Sequence, residues 1–196
     1  MIAWINLAVL ILSTLLTLIT YVKSVGPAAL FEKIGDKAYR RCTYYRMLAA
    51  VFMTVAMVNY VIYTFYPIPI QLAETFPWKR WISIIIAILI AFPSGYLWFR
   101  GMKDAGLETM VVKQEHTSYG GIYEKIRHPQ AVGEMPFWFV IAFLLHSPFL
   151  ALYSLVWIPI FWVMSMAEEK DLVIRYGDIY LAYQESTGAF FPKRSR

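Results

Sequence analysis

The polar side chains whose types could form a site for a small charged ligand cluster in two short stretches of the chain. These stretches are residues 113–134, which include Arg127 and His128, and residues 168–183, which begin with Glu168. Arginine binds carboxylates and phosphates, glutamate binds cations, and histidine or glutamate can exchange a proton near neutral pH. Placed together, these groups would form a site for a small charged ligand.

Several of these features also have a purely structural interpretation. The Arg-His-Pro sequence at 127–129 fits a plain helix entry, with the proline in the first turn and the arginine on a lipid headgroup. The acidic pair at 168–169 fits charges at the end of a membrane span. Glu134 favours a site, because it lies about one turn into an apolar helix, where a carboxylate is costly unless it is paired or lines a wet cavity. We expect His146 to be structural.

The composition predicts an integral membrane protein. The 196 residues are 59% hydrophobic and 16% charged, whereas about a quarter of the residues of a soluble domain are charged. The net charge of +5 is explained by basic loops facing anionic headgroups, and we expect no nucleic-acid partner. With one cysteine and three histidines, the chain shows no metal-binding pattern, and we expect no metal.

Apolar runs of the length needed to cross a bilayer indicate the elements that must hold the site. The predicted membrane helices are residues 2–22, 48–68, 81–99, 132–145 and 149–166. The last two form a hairpin, because the apolar run 132–166 is too long for one crossing and contains His-Ser-Pro at its middle. The sequence thus predicts an all-α integral membrane protein with about five transmembrane helices, a loop carrying the site and a C-terminal helix.

The distribution of lysine and arginine predicts the orientation of these helices. All but two of the 18 lysines and arginines lie in residues 23–46, 100–127 and 170–196. With five crossings these three segments fall on one side, which the positive-inside rule makes cytoplasmic. The N-terminus would then lie outside, with the site loop and the C-terminus in the cytoplasm. The basic segment 26–45 could be an amphipathic stretch that lies along the headgroups or an ordinary loop with basic anchors.

A tight hairpin brings its two ends together. We therefore expect Tyr123, Arg127, His128 and Glu134 to lie near the acidic pair at 168–169. After the last span, apolar and aromatic residues recur at the spacing of one helix face. They are Leu172, Tyr176, Ile179 and Tyr183. Gly177 predicts a break in this helix, which we expect to fold over the site.

The sequence predicts one structural domain with two regions. Residues 1–99 form an N-terminal three-helix membrane region. Residues 100–196 hold the loop, the hairpin and the C-terminal helix, and we expect them to form the catalytic region.

The spacing of the polar motifs resembles that of a known family. The residues that carry the resemblance are Gly121, Tyr123, Arg127-His128-Pro129 and Gly133, followed by Glu168-Glu169, Leu172, Tyr176-Gly177, Tyr180, Tyr183 and Phe191-Pro192. This pattern is similar to that of the isoprenylcysteine carboxyl methyltransferases, in particular their short prokaryotic members, and of the related phospholipid N-methyltransferases. It covers residues 113–192. The chain differs from the family pattern at Ala131, where tyrosine is frequent, and at Met164, where eukaryotic-type members have a substrate-binding arginine.

The resemblance implies a membrane methyltransferase that uses S-adenosylmethionine and releases S-adenosylhomocysteine. It implies a cofactor pocket lined by Tyr123, His128, Pro129, Gln130 and Ala131, with Gln114, His116 and Thr117 contributed by the preceding loop. Glu168 would bind the cofactor's amino group, and Arg127 would support the cofactor or the reacting carboxylate.

The implied acceptor is a membrane lipid or a prenylated substrate. Carboxyl O-methylation of an isoprenylcysteine-like group is preferred. A carboxylate acceptor is already ionised and needs no base, whereas an amine acceptor would need Glu134 or His128 to take its proton. The alternatives are N-methylation of a phospholipid or another amine and, less favoured, an NADPH-dependent membrane reductase.

Overall fold

The computed structural model describes residues 1–112 and 120–193. Nine α-helices form within these residues: α1 (Ile2–Ser24), α2 (Pro27–Ile34), α3 (Lys37–Phe65), α4 (Arg80–Ala105), α5 (Pro129–Glu134), α6 (Phe137–Leu144), α7 (Pro148–Ser154), α8 (Trp157–Tyr176) and α9 (Asp178–Ser186). The described chain adds two short 3-10 turns, Gly106–Thr109 and Gly121–Glu124, and an isolated β-bridge between Ile126 and Gly188. The predicted all-α fold is confirmed.

Four helical stretches of the described chain are long and apolar enough to cross a membrane. They are α1, α3, α4 and the run Pro148–Tyr176, which contains α7 and α8. Their outer surfaces carry large apolar side chains, such as Leu89 at 68% and Phe92 at 76% exposed. Surfaces of this kind are stable against lipid, so the protein is an integral membrane protein. The orientation predicted from the basic segments remains a prediction.

The structure differs most from the prediction in the span 132–145. It forms two short helices, α5 and α6, separated by a turn at residues 135–136, and it is not among the four long stretches. The interruption follows from Pro136, which cannot donate a hydrogen bond to the carbonyl of Val132 and whose ring crowds that carbonyl. The hairpin itself is confirmed, with its turn at residues 145–147 between α6 and α7.

The basic segment 26–45 is largely helical and so is not an ordinary loop, and its predicted position along the headgroups remains a prediction. Pro27 begins α2, and the buried carboxylate of Asp171 on α8 accepts a hydrogen bond from the backbone N–H of Ala28 at 2.8 Å. Gly35, with φ of 62°, then separates α2 from α3. Because α3 already begins at Lys37, it is much longer than the predicted span 48–68.

The core joins the N-terminal helices to the hairpin through aromatic side chains. Trp138 on α6 stacks on Trp157 on α8 with ring centroids 3.7 Å apart, and the ring of Tyr60 on α3 lies 5.1 Å from that of Trp138. The Tyr60 hydroxyl also lies 3.2 Å from the hydroxyl of Ser154. Dispersion and one buried hydrogen bond thus fix the hairpin against α3. The predicted regional division after residue 99 falls inside α4, which continues to Ala105.

The hairpin turn is fastened to the start of α4 by a small polar cluster. Nδ1 of His146 lies 2.7 Å from the hydroxyl of Ser83, which also accepts a hydrogen bond from the Trp78 indole at 2.9 Å. His146 itself has a positive φ of 58°, an uncommon conformation for a residue with a side chain. These contacts agree with the structural role expected for His146.

A glycine sets the distance between α4 and α5. A Cβ atom on Gly133 would lie 2.4 Å from the backbone nitrogen of Trp98 and 2.6 Å from the carbonyl oxygen of Ser94. Both atoms belong to the backbone of α4, so neither can move without moving the helix. Small residues allow close helix approach in membranes. Gly133 thus holds the start of the hairpin against α4.

We predict that Gly133→Ala destabilises the protein by about 1–3 kcal/mol, because the added methyl group must push α5 away from α4. The measurement is the thermal unfolding midpoint of purified protein in detergent. Gly95→Ala on α4 is the matched control, because its Cβ would lie at an ordinary 3.8 Å from a side-chain atom of Phe137. Equal midpoints for the two variants would contradict the proposed role of Gly133.

Candidate active site

The Arg-His-Pro segment is held from both sides by backbone contacts. On one side, Asp104 of α4 accepts a hydrogen bond from the N–H of Ile122 at 2.9 Å and so anchors the preceding 3-10 turn. On the other side, the N–H groups of Arg127 and His128 donate to the carbonyls of Gly188 and Ala189 at 2.9 and 3.0 Å. The residues after α9 thus pair with this segment like a short parallel strand. Pro129 then begins α5.

Glu169 on α8 is the centre of a buried polar cluster. Its carboxylate accepts two hydrogen bonds from the Arg127 guanidinium, at 2.7 and 3.2 Å, and one from the Gln184 amide at 2.7 Å. Nε2 of His128 lies 2.8 Å from the same carboxylate. We call these four residues the Glu169 cluster. It joins the Arg-His-Pro segment, α8 and α9, and so confirms that the two ends of the hairpin lie together.

The Arg127 guanidinium makes its hydrogen bonds with other groups of the protein. Beyond its paired contact with Glu169, its guanidinium donates to the carbonyls of Gln184, at 3.1 Å, and Thr187. Its side chain is only 10% exposed. These contacts indicate that Arg127 positions the segment around it. The contact of Arg127 with a cofactor or a reacting carboxylate remains a prediction.

The two members of the acidic pair have different surroundings. Glu169 is 9% exposed within its cluster, whereas the Glu168 side chain is 34% exposed and faces a cavity. Nδ1 of His128 lies 3.8 Å from the Glu168 carboxylate, so the two nitrogens of His128 face the two members of the pair. Of this pair, Glu168 is therefore the member available to a ligand.

Hydroxyl and amide groups form a second polar chain beside the pair. The Gln130 amide donates to the Tyr123 hydroxyl at 3.0 Å and lies 3.2 Å from the Thr109 hydroxyl. The Tyr123 hydroxyl donates to the Gly101 carbonyl at 3.2 Å. Burial raises the pKa of Tyr123 above its ordinary value and raises the pKa of Tyr183 to about 12. Both phenols are therefore neutral at physiological pH and act as hydrogen-bonding groups.

A cavity of about 510 Å³ lies between these polar groups and the N-terminal helices. Its volume is in the range typical of small-molecule sites. Among the predicted site residues, those that line it are Tyr123, Arg127, His128, Gln130, Ala131, Glu134 and Glu168. Pro129 is fully buried next to them. The predicted loop residues Gln114, His116 and Thr117 lie outside the described residues.

The predicted C-terminal helix also faces the cavity. Gly177, with φ of 53°, ends α8, and α9 begins at the next residue, so the predicted break is confirmed. The aromatic and apolar residues predicted to share a helix face all line the cavity, namely Leu172, Tyr176, Ile179 and Tyr183. This confirms that the C-terminal segment covers the site.

Sequence reasoning missed the part of the wall that comes from the N-terminal half. Tyr21 of α1 lines the cavity, and so do Arg46, Ala49, Ala50 and Met53 of α3. The α3 residues follow the i, i+3, i+4, i+7 spacing of one helix face, which is a signal that the sequence does contain. This signal is hard to recognise because Arg46 also fits the basic segment 23–46.

The described residues contain no group of three or more histidine, cysteine, aspartate or glutamate side chains placed to hold a metal ion.

The fold and the cavity define a helical membrane protein with a small-molecule site where its hairpin meets the N-terminal helices. The family of phospholipid methyltransferases matches residues 82–179, half of the chain. The chain therefore belongs to the phospholipid methyltransferase family, which confirms the resemblance seen in its motifs. Methanethiol S-methyltransferase of Pseudomonas sp. (strain GM41(2012)) is 29% identical over 133 residues, covering 61% of this chain and 49% of that protein. The chain thus spans about half the length of this curated relative. No solved structure matches it.

We predict that Glu169→Gln destabilises the protein by about 3–5 kcal/mol, because it leaves the buried Arg127 without its counter-charge. Glu168→Gln is the matched control, an identical substitution at the adjacent, more exposed position, and it should cost less than about 1 kcal/mol. Thermal unfolding in detergent measures both. A loss of the same size in the two variants would refute the division of roles between the two carboxylates.

Proposed function

We propose that this protein is a membrane methyltransferase that uses S-adenosylmethionine to methylate a lipophilic acceptor. The observation that carries the proposal is the Glu168 carboxylate, which faces a mainly apolar cavity of small-molecule size. The cofactor combines an ammonium, which needs an acidic acceptor, with an adenine, which needs apolar walls and a few polar groups. The cavity provides both the acidic group and the apolar walls with a few polar groups.

The residues present fit this cofactor in the following way. Glu168 would accept hydrogen bonds from the ammonium group. The Tyr123 and Gln130 pair would supply polar contacts, and Phe161 and Met164 would supply apolar surface; all of these residues line the cavity. Arg127 would act through Glu169 to keep His128 in place.

When bound, the cofactor supplies an electrophilic methyl group on a positively charged sulfur. An acceptor atom would take this methyl group as its bond to sulfur breaks, and S-adenosylhomocysteine would be the by-product. The protein contributes by holding the acceptor in line and by excluding water from the cavity.

We propose a carboxylate of the isoprenylcysteine type as the first candidate acceptor. A carboxylate is ionised at neutral pH, so the site has to orient it without removing a proton. A prenyl tail could extend along the apolar lining, which includes Met53, Trp98 and Phe161. We further propose that the cavity opens on the cytoplasmic side of the membrane, where the basic segments are expected.

A thiol acceptor is the second candidate, supported by the methanethiol S-methyltransferase relative. A thiol or an amine must lose a proton before or during the transfer. Glu134 lines the cavity, and no hydrogen bond or ion pair from the described part of the chain engages its carboxylate. Glu134 could therefore accept that proton. A phospholipid amine would use the same group.

We predict that purified protein binds S-adenosylhomocysteine in isothermal titration calorimetry, and that Glu168→Gln and His128→Ala each lower the affinity about tenfold or more. The reason for Glu168→Gln is the loss of a charge-assisted hydrogen bond, worth about 1.5–3 kcal/mol. His128→Ala removes a buried wall of the cavity. Binding of NADPH in place of S-adenosylhomocysteine would instead indicate the reductase alternative and remove the proposal.

The acceptor is tested with radiolabelled cofactor and a panel of prenylcysteines, aminophospholipids and small thiols. A methyl ester is labile to mild base, whereas a methylamine or a thioether is not. We expect base-labile product from a prenylcysteine and little effect of Glu134→Gln on its formation. A base-stable product from a thiol, lost in Glu134→Gln, would replace the carboxylate by the second candidate.

A further inference from the structure

The helix α3 and the helical run formed by α7 and α8 contact each other near both ends. At one end, the guanidinium carbon of Arg175 lies 5.7 Å from the ring centroid of Tyr39. At the other end, the hydroxyl oxygens of Tyr60 and Ser154 lie 3.2 Å apart. These two contacts are separated by 21 residues on α3 and by 21 residues on the opposite run. The two runs are therefore antiparallel and have a defined register.

The register indicates which residues are level with each other between the two contacts. Seven residues make nearly two helical turns, so positions seven apart share a helix face. Met53 lies seven residues before the tyrosine of the second contact, and Phe161 lies seven residues after its serine. By the same count, Ala50 is level with Met164. All four residues line the cavity, which therefore lies between α3 and α8.

The polarity of the cavity changes along this register. Glu168 lies seven residues after Phe161 on the same face of α8 and marks the acidic end. At the level of Phe161 the lining is apolar, because Phe161 belongs to the main hydrophobic core and Met53 packs against that core. The α3 side of this level, formed by Ala50 and Met53, offers no hydrogen-bonding side chain. Polar groups are costly to bury without partners, so this wall suits a hydrocarbon chain.

Ala50 leaves the cavity open on its α3 side. Ala49 is only 2% exposed, whereas its neighbour Ala50 is exposed and lines the cavity. A larger side chain at position 50 would therefore project into open space without displacing packed neighbours. Both α3 and the run of α7 and α8 are long and apolar enough to cross a membrane. Residues 50 and 53 also lie inside the predicted span 48–68, so this opening lies at a depth where lipid is present.

We infer that Ala50 and Met53 hold the apolar chain of the acceptor, and that the small side chain of Ala50 determines the length of chain that the site accepts. The inference rests on the proposed function and names residues that select the acceptor. It places acceptor selection on α3, outside residues 82–179, the part of the chain matched by the family. The cofactor's charged group would occupy the Glu168 end, and the acceptor's chain would occupy the level of Met53.

The test compares acceptors that share a reacting group and differ in the length of the apolar chain. The first pair is N-acetyl-S-farnesylcysteine and N-acetyl-S-dimethylallylcysteine. Dodecanethiol and butanethiol form the pair for a thiol acceptor, and long-chain and short-chain phosphatidylethanolamines form the pair for an amine. The measurement is the ratio of kcat/KM for the long chain to kcat/KM for the short chain, in one detergent at one concentration.

In Ala50→Phe this ratio should fall about tenfold or more, because the ring fills space that only the long chain needs. Ala50→Leu should lower the ratio less. Met53→Ala should raise it, because it lengthens the apolar compartment. Calorimetry should show that S-adenosylhomocysteine binds to Ala50→Phe with the affinity of the wild type, since the substitution lies away from the Glu168 end.

Val51→Phe is the matched control, because Val51 is the next residue on α3, is 55% exposed and does not line the cavity. It should leave the ratio as in the wild type. An unchanged ratio in Ala50→Phe, or an equal fall in Val51→Phe, would overturn the inference. A loss of S-adenosylhomocysteine affinity as large as the fall in the ratio would overturn it as well, and so would a wild type that methylates only short-chain acceptors.

Ala50→Leu and Met53→Ala decide between the same outcomes if Ala50→Phe fails to fold, because they change the compartment by less and in opposite directions. A wild type that neither binds S-adenosylhomocysteine nor methylates any member of the three pairs would instead refute the proposed function.

Discussion

The structure depends on the compensation of one buried carboxylate. Glu169 brings together segments that are far apart in sequence, because its two oxygens receive groups from the Arg-His-Pro segment and from α9. An isolated charge in such surroundings would cost several kcal/mol, and the cost is offset only when every partner is in place. The fold of the site is therefore cooperative: the loop, the hairpin and the C-terminal helix hold one another in a single arrangement.

This compensation also explains how adjacent glutamates acquire different tasks. Successive residues on a helix point about 100° apart, so a helix that turns Glu169 into its cluster turns Glu168 toward the cavity. The Glu169 carboxylate is engaged by the other members of its cluster, and the Glu168 carboxylate remains available to a ligand. A single acidic residue could not do both, because the contacts that hold the wall would occupy the oxygens that a ligand needs.

The elements predicted from sequence were those with strong local signals. The hydrophobic runs predicted α1 and α4 well, and the helical spacing together with Gly177 predicted the C-terminal helix and its break. The interruption at Pro136 was missed because membrane helices tolerate proline when neighbouring groups satisfy the freed backbone, so a proline alone does not predict a break there. The contacts of Arg127 with carbonyls after α9, and the position of Arg46 on the cavity, depend on how distant segments pack. Such packing leaves no periodic pattern at either residue alone. The motif therefore indicated which residues lie at the cavity but not which contacts each of them makes.

The backbone pairing of Arg127 and His128 with residues 188 and 189 has a consequence for biosynthesis. These partners are synthesised after all of the helices described, so the ribosome has already delivered the hairpin to the bilayer when they emerge. Until they emerge, the backbone N–H groups of Arg127 and His128 lack the carbonyl partners that they have in the folded protein. Maturation of the site is thus a late event, separable in time from membrane insertion, and the newly made protein passes through a state that is inserted but not yet assembled.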